Sequence, residues 1–560
     1  MLEVDLVALG DRLLAFRAGF AVVSALFVWQ LSRRGRPAFL LALVLIANAF
    51  IWAQTVLPLA RPYALGESHD RAGNMQLAAV VAEGRPFYES AQTGQYSIEP
   101  GWGLVAAAVS GFDSRRLLSL YSYFSLAAPL LVALGIFYGF GGRASGLDSW
   151  DRAVAAYFGT LLVARGIDFS EYFSDPWAMM FLLKPNHALG LALAPLYVRL
   201  QAEARDLRGR LLAGLLLGLI GWLCVFHMVF LWAALFCFVA LGVAERPRLA
   251  SSAARLVEAA PALVVSAVVT SPYVFVLLFR FPAGQPGPRF GNPASEALLL
   301  WPTFQSGLIF PVALIGLLLW FRRGEAQARW WQALFAGGFA FWLLLILLGY
   351  SFRARERDEL LYWLRFSSAM VAGAFSLEIL RQLERRLFDR TFTVAQRAAL
   401  LVALTFPFTS VFWWNPLRMD RYFKGSLSPI PLYMRAPGEY LRSHARPEDV
   451  VAGDSVFAKF VSVFSGRRVF LSENLNNPPA VRQAREARQQ RLLGPASEAC
   501  AVASAEGIRY LVITPSWLDE AGVPVSRLDT FDHLKERVRV QDPAGAFIAL
   551  FEVTCGGGRS

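Results

Sequence analysis

The sequence predicts a polytopic α-helical membrane protein of about twelve spans with a soluble α/β domain at its C-terminal end. Three observations predict it. The 560 residues are 56% hydrophobic and 14% aromatic with a mean hydropathy of +0.43, whereas soluble domains stay nearer half apolar. Apolar runs of bilayer length recur from residue 14 to residue 414, and arginines crowd alternate connections between them. From Pro429 onward the apolar runs shrink to strand length and alternate with polar helical stretches.

A spanning helix needs roughly 20 mostly apolar residues. Candidate spans are 14–31, 38–60, 117–140, 151–166, 187–200, 211–224, 226–244, 257–279, 303–321, 331–350, 363–380 and 394–414. The run from Leu211 to Ala244 is too long for one helix and reads as a tight hairpin breaking near Cys224 to His227. Residues 1–13 carry Glu3, Asp5 and Asp11 without a basic start, so the first span is expected to be retained rather than cleaved as a signal peptide.

The connections set orientation. Arg33/Arg34/Arg36, Arg143/Arg152, Arg205/Arg208/Arg210, Arg246/Arg248/Arg255, Arg322/Arg323/Arg329 and Arg381/Arg385/Arg386/Arg390 all fall on one side, which the positive-inside rule makes cytoplasmic. The connections 61–116, 167–186, 280–302 and 351–362 then lie outside, with everything after Asn415. The expected location is the inner (plasma) membrane, multi-pass, with the C-terminal domain extracytoplasmic. The formal charge of +12 and pI of about 9.8 therefore belong to topology and lipid headgroups, not to a nucleic-acid face.

The transmembrane part is expected over 1–415 and the α/β domain over 430–560. In the latter, Glu439 to Ser443 reads as a helix, Asp449 to Gly453 as a strand and Val456 to Phe464 as a helix. Arg468 to Leu471 reads as a second strand. Helix Ala496 to Glu506 follows Gly494-Pro495 and feeds a buried strand at Ile508 to Thr514. Val538 to Val540 and Ala546 to Val553 read as closing strands. No Gly-rich nucleotide fingerprint accompanies them. Of the four cysteines, Cys224 and Cys237 lie in apolar runs, whereas Cys500 and Cys555 lie in the polar region and can pair if it is extracytoplasmic.

The outer connections collect polar residues. The stretch from Pro62 to Gly103 holds Glu67, His69, Asp70, Glu89 and Glu99 around an amphipathic segment at 72–84. The 167–186 connection holds Asp168, Glu171, Asp175 and Lys184, and His187 opens the next span. Arg353, Arg355 and Arg357, with Arg365 just inside the following helix, are basic where the positive-inside rule expects little positive charge. An anionic phosphate is the natural partner for such a cluster. Carboxylates and arginines at one membrane face suit transfer from a lipid-phosphate donor. A carboxylate would take the proton of an attacking hydroxyl, and arginines would hold the phosphate as it leaves. His69 or His187 would bind the phosphate or orient the base. The 72–84 segment would lie in the interface and guide the lipid chain.

Structural alternatives stand beside these roles. Asp70 is also a natural N-cap for 71–83, Glu67 a solvated residue, and Asp175 before Pro176 turn chemistry. The arginines of 353–357 can pair with Glu356, Asp358 and Glu359, and His227 reads as a satisfied core histidine. No tight metal-ligand spacing occurs and no cofactor is expected, although Glu67 with Asp70 could hold a hard divalent cation beside a phosphate.

Asp70, the helix pattern of 72–83, Gly84-Arg85-Pro86-Phe87-Tyr88 and Tyr96-Ser97-Ile98-Glu99-Pro100 together resemble the first outer loop of the glycosyltransferase-C superfamily. The many-span bundle with an extracytoplasmic α/β domain is similar to that group as well. The resemblance implies sugar transfer from a polyprenyl-phosphate donor to a glycan, lipid or protein acceptor, inverting at the anomeric carbon, with Asp70 as base. It departs from the group's pattern in two ways. The paired acids are here separated as Glu67-Ser68-His69-Asp70, and two spans rather than one precede the loop. The competing readings are a transporter or flippase of a lipid-linked glycan and a ligase using a lipid-diphosphate donor. A transporter would place ionisable residues near the bilayer midplane and often repeat its halves, and the sequence shows neither pattern.

Overall fold

The structure is a computed structural model. It describes residues 22–31, 33–35, 39, 43, 100–110, 114–161, 185–244, 248–280, 309–347, 354–387, 391–408, 432–455, 457–458, 461, 465–471, 479–541 and 547–555. The chain forms two compact units, one of 1–57, 125–271 and 284–422, the other of 58–124, 272–283 and 423–560.

The described helices of the N-terminal three-quarters are α1 (Val22–Leu31), α2 (Pro100–Ser110), α3 (Ser114–Gly139), α4 (Ser149–Leu161), α5 (Pro185–Glu203) and α6 (Leu207–Leu223). They continue with α7 (Val225–Leu241), α8 (Arg248–Arg280), α9 (Ile309–Arg322), α10 (Ala326–Leu347), α11 (Ala354–Leu387) and α12 (Val394–Phe408). Among the described residues, Ala250–Pro272 alone is long and apolar enough to cross a bilayer unaided, and shorter apolar helices include Val225–Leu241 and Ile309–Arg322. The hairpin expected near Cys224 to His227 is present: Cys224, in extended conformation, is the single residue between α6 and α7.

The bundle is apolar on its outside. Leu211, Leu215 and Leu219 form an exposed stripe along α6, and Val257, Val264 and Val268 are 58–66% exposed along α8. Such faces, at helical spacing, are stable against lipid and not against water. The inside is organised on α11, in which every residue from Trp363 to Leu377 is buried. It packs against α4 and α9. Glycines let helix backbones approach. A Cβ at Gly135 of α3 would lie 2.1 Å from the Ala192 carbonyl of α5, and one at Gly139 would lie 2.4 Å from Pro195. Close backbone approach through a small-xxx-small pair is how helices associate where lipid removes the hydrophobic drive.

The connection expected at 351–362 differs from the structure: from Ala354 onward it is already α11. Helix α8 likewise starts before its apolar span, at Arg248. Charged residues extend a helix past its apolar part, so hydropathy finds the span and misses the helix end.

In the second unit, α13 (Leu432–His444), β1 (Val450–Gly453), β2 (Arg468–Val469), α14 (Pro479–Gln490), α15 (Ala496–Glu506), β3 (Ile508–Ile513), α16 (Pro515–Glu520), β4 (Leu534–Gln541) and β5 (Phe547–Val553) build a five-stranded sheet of order β2-β1-β3-β5-β4. β2, β1 and β3 are parallel, and β5 runs antiparallel between β3 and β4. The core gathers Leu511, Ile513, Trp517, Leu518, Phe547 and Phe551. The strands lie where the alternation put them, with β4 longer than its apolar centre. Helix α14 has no counterpart in the sequence expectation. Its buried residues Arg485 and Gln489 are polar and donate to the Phe470 and Gly453 carbonyls at 2.9 and 2.6 Å. A Cys500–Cys555 disulfide ties α15 to the residue pair after β5, with Cα atoms 5.5 Å apart.

Candidate functional site

The described residues of interest meet at one end of the bundle. Helix α5 begins there, α6 gives way to α7 there, and the first third of α11 passes by. His187, in the first turn of α5, is buried, with Nδ1 3.5 Å from the Cys224 sulfur. Cys224 and His227 are buried too. The His227 ring is committed on both edges. Its Nδ1 accepts the Trp363 indole N–H at 2.7 Å, and its Nε2 lies 3.1 Å from the His187 carbonyl oxygen. Because Nδ1 accepts, the proton is on Nε2, which donates to that carbonyl. The expectation of a satisfied core histidine holds.

The surroundings fix this ring. Trp363 stacks on Phe230 with centroids 5.1 Å apart and planes 11° apart. Gly190, one turn after His187, backs on the His227 edge: a Cβ there would lie 2.2 Å from Cδ2. The result is a chain from α11 through α7 to α5, made of two hydrogen bonds and one ring.

Arg365 follows Trp363 by two residues, about 200° round the helix, so it faces another side of α11. It is 5% exposed and is not without a partner. The sequence places it just inside the helix that follows the 351–362 connection, and the structure encloses it there. A cation in such surroundings is costly unless a partner compensates it, and positions of this kind are commonly functional. Arg355 and Arg357 fall in the opening of α11, on the helix that carries Trp363 and Arg365. Asp70, Glu67, His69, Glu99, Glu171, Lys184 and Arg353 lie outside the described residues, as does the 72–84 segment.

His187, Cys224 and His227 are a group of three potential metal ligands whose donor atoms all lie within 4.8 Å of one another. Bond lengths to zinc of about 2.3 Å from sulfur and 2.0 Å from nitrogen put tetrahedral S and N ligands about 3.5 Å apart, which suits Cys224 with His187. His227 does not fit. A metal at Nδ1 would meet the Trp363 N–H, and one at Nε2 would displace the proton donated to the His187 carbonyl. The trio is built as a hydrogen-bonded bracket, not as a resident metal site.

Sequence reasoning read Cys224 and His227 as core residues and did not single out Trp363. The signal available was topological: the expected spans 187–200, 211–224 and 226–244 put His187, Cys224 and His227 at the same end.

No protein-family model matches the chain, and no curated protein matches it by sequence. Solved structures match by fold. The crystal structure of ArnT from Cupriavidus metallidurans in the apo state matches with a TM-score of 0.52 at 11% identity, over 91% of this chain and 99% of that one. The same protein bound to undecaprenyl phosphate gives 0.49 at 11% identity over 90% and 97%. The archaeal oligosaccharyltransferase AglB from Archaeoglobus fulgidus, in complex with an inhibitory peptide and a dolichol-phosphate, gives 0.47 at 13% over 91% and 74%. The likeness to apo ArnT, at 11% identity, is one of fold alone.

Proposed function

We propose that the chain transfers a sugar from a polyprenyl-phosphate donor to a glycan, lipid or protein acceptor at the outer face of the cytoplasmic membrane. The observation that carries the reading is the shared fold, spanning nearly the whole of both chains, in a sequence whose first outer loop has the acid, amphipathic segment and Gly-Arg-Pro-Phe-Tyr order. The disulfide between Cys500 and Cys555 supports an extracytoplasmic C-terminal domain, because the cytosol keeps such thiols reduced.

In this reading Asp70 takes the proton from the acceptor hydroxyl as its oxygen attacks the anomeric carbon, on the face opposite the phosphate. The sugar–phosphate bond breaks, the configuration inverts, and polyprenyl phosphate departs with the electron pair. Glu67 assists Asp70. Arg365, with Arg353, Arg355 and Arg357, offsets the charge that builds on the leaving phosphate, and Lys184 and His187 approach it from the start of α5. His69, Glu99 and Glu171 line the sugar or acceptor.

Substituting Asp70→Asn and supplying labelled polyprenyl-phosphate sugars to purified protein tests the reading. One general base contributes about 10²–10⁴ in rate, so transfer is expected to fall by that factor while the protein remains folded. Undiminished transfer by the variant would remove Asp70 from the mechanism, and transbilayer lipid movement without any transfer would replace the enzyme by a flippase.

A further inference from the structure

We infer that His227 is a positioning residue, holding the first turn of α5 against α11 so that the groups on these two helices meet one ligand phosphate; this rests on the glycosyl-transfer reading above. The geometry is specific. Helix α5 carries the buried Asn186 and His187 at its start, and α11 brings Trp363 to the same imidazole, while Arg365 lies on another side of α11. These two elements are far apart in sequence. Trp363 lies 136 residues from His227 along the chain, and His227 lies 40 from His187. The imidazole joins them because it is both an acceptor, at Nδ1, and a donor, at Nε2, across one rigid ring.

Its environment keeps the ring in that orientation. Phe230 stacks on the indole that donates to Nδ1, and the absent side chain at Gly190 lets the α5 backbone come up to the imidazole edge. A leucine at 227 would fill similar volume and join nothing. A glutamine reaches to the Nε2 position, keeps an N–H for the His187 carbonyl and offers an oxygen to Trp363. Phenylalanine at 363 would keep the stacking on Phe230 and lose the N–H.

The experiment compares full-length wild type, His227→Leu, His227→Gln and Trp363→Phe in detergent micelles. Hydrogen–deuterium exchange over residues 185–192 reads the bracket itself, without any ligand. Affinity for a long-chain polyprenyl phosphate lacking a sugar reads its consequence, and KM and kcat for sugar transfer separate positioning from chemistry. His227→Leu is expected to speed exchange in 185–192 and weaken lipid-phosphate binding and raise KM about thirtyfold, the weight of two neutral hydrogen bonds, with kcat little changed. Trp363→Phe is expected to do the same in smaller measure, and His227→Gln to restore exchange, binding and KM together. Exchange unchanged in His227→Leu overturns the bracket. Faster exchange with unchanged binding and KM overturns the positioning role and leaves the proposed function standing. Equal loss in Leu and Gln variants overturns it as well, because the hydrogen bonds would not be what matters. A wild type that binds polyprenyl phosphate in this way but transfers no sugar leaves the positioning intact and removes the proposed reaction; one that does not bind it removes both.

Discussion

Breaking the Cys500–Cys555 bond is expected to destabilise the α/β unit selectively. The bond closes a loop of 55 residues that contains α16, β3, β4 and β5. Closing a loop of that length lowers the entropy of the unfolded chain by an amount worth about 4 kcal/mol. For the roughly 130 residues of 430–560 that carry the sheet, melting together, 4 kcal/mol corresponds to a shift of roughly 10–15 °C in melting temperature. The perturbation is the double substitution Cys500→Ser with Cys555→Ser, which avoids leaving one reactive thiol. The assay is thermal unfolding of full-length protein in detergent, followed by proteolysis of the C-terminal unit and, separately, of the helical bundle. The bundle's own free cysteines, Cys224 and Cys237, are untouched by the substitution, so its transition should stay in place. Alkylation under denaturing conditions gives an independent count: two thiols react before reduction and four after it. A C-terminal transition that moves by less than about 2 °C would refute the loop-entropy reasoning, because that corresponds to well under 1 kcal/mol.

Other outcomes follow from charges the fold has enclosed. Glu552 of β5 accepts from Arg509 of β3 at 2.9 Å and from Arg537 of β4, bridging the three antiparallel strands. Burial pushes its carboxyl up, but the hydrogen bonds and charges of Arg537 and Arg509 outweigh that and hold it below its ordinary 4.5. A depressed carboxylate contributes stability that is fully present above pH 4.5 and is lost as pH falls through the folded value. Glu552→Gln should therefore cost about 1–2 kcal/mol near pH 7, toward the low end for charged hydrogen bonds because the arginines are partly exposed, and the gap to wild type should narrow progressively as pH falls below 4.5 in acid unfolding. Glu384 at the end of α11 accepts from Nε and Nη2 of Arg397 of α12, one at each carboxylate oxygen and both at 2.8 Å, with side chains 5% and 10% exposed. Glu384→Ala leaves that cation enclosed and should cost about 3–5 kcal/mol of thermal stability in detergent, and pairing it with Arg397→Met should recover most of the loss.

The fold was most legible where side-chain period and backbone period agree. Residues 508–513 read as a buried strand because an apolar run lies between Gly507, which ends α15 in left-handed conformation, and Thr514, whose hydroxyl caps α16. Helix α14 was illegible for the opposite reason. Its inward side is Arg485 and Gln489, which donate to strand-end carbonyls, so no apolar stripe marks it. The start of α11 was hidden by charge, since Arg355 and Arg357 read as a connection although they continue the helix. At the candidate site, topology brought His187, Cys224 and His227 to one end, but the Trp363–His227 bond was beyond reach. Nothing in a linear pattern says which of 16 tryptophans meets which histidine across helices.

The arginines of the opposite end serve backbone carbonyls. Helix α8 continues through Pro261, which has no N–H for the Val257 carbonyl one turn back. Arg210 of α6 donates to that carbonyl at 3.2 Å, and Gln201 of α5 donates to its neighbour at Glu258. Pro272 leaves the Val268 carbonyl in the same state, and the Ser271 hydroxyl takes it at 2.8 Å. Arg255 serves the Phe238 carbonyl near the end of α7, Arg199 the Tyr138 carbonyl near the end of α3, and Gln327 its neighbour at Gly139. In an apolar bundle each carbonyl without a donor is expensive, so a guanidinium that reaches one stabilises the helix end. Helix α5 is about 28 Å long and links the two ends, with Arg199 and Gln201 anchoring one and His187 entering the bracket at the other. The chemistry proposed at the His187 end thus depends on backbone satisfaction at the Arg199 end, because the first turn of α5 can be held in place only if the rest of the helix is.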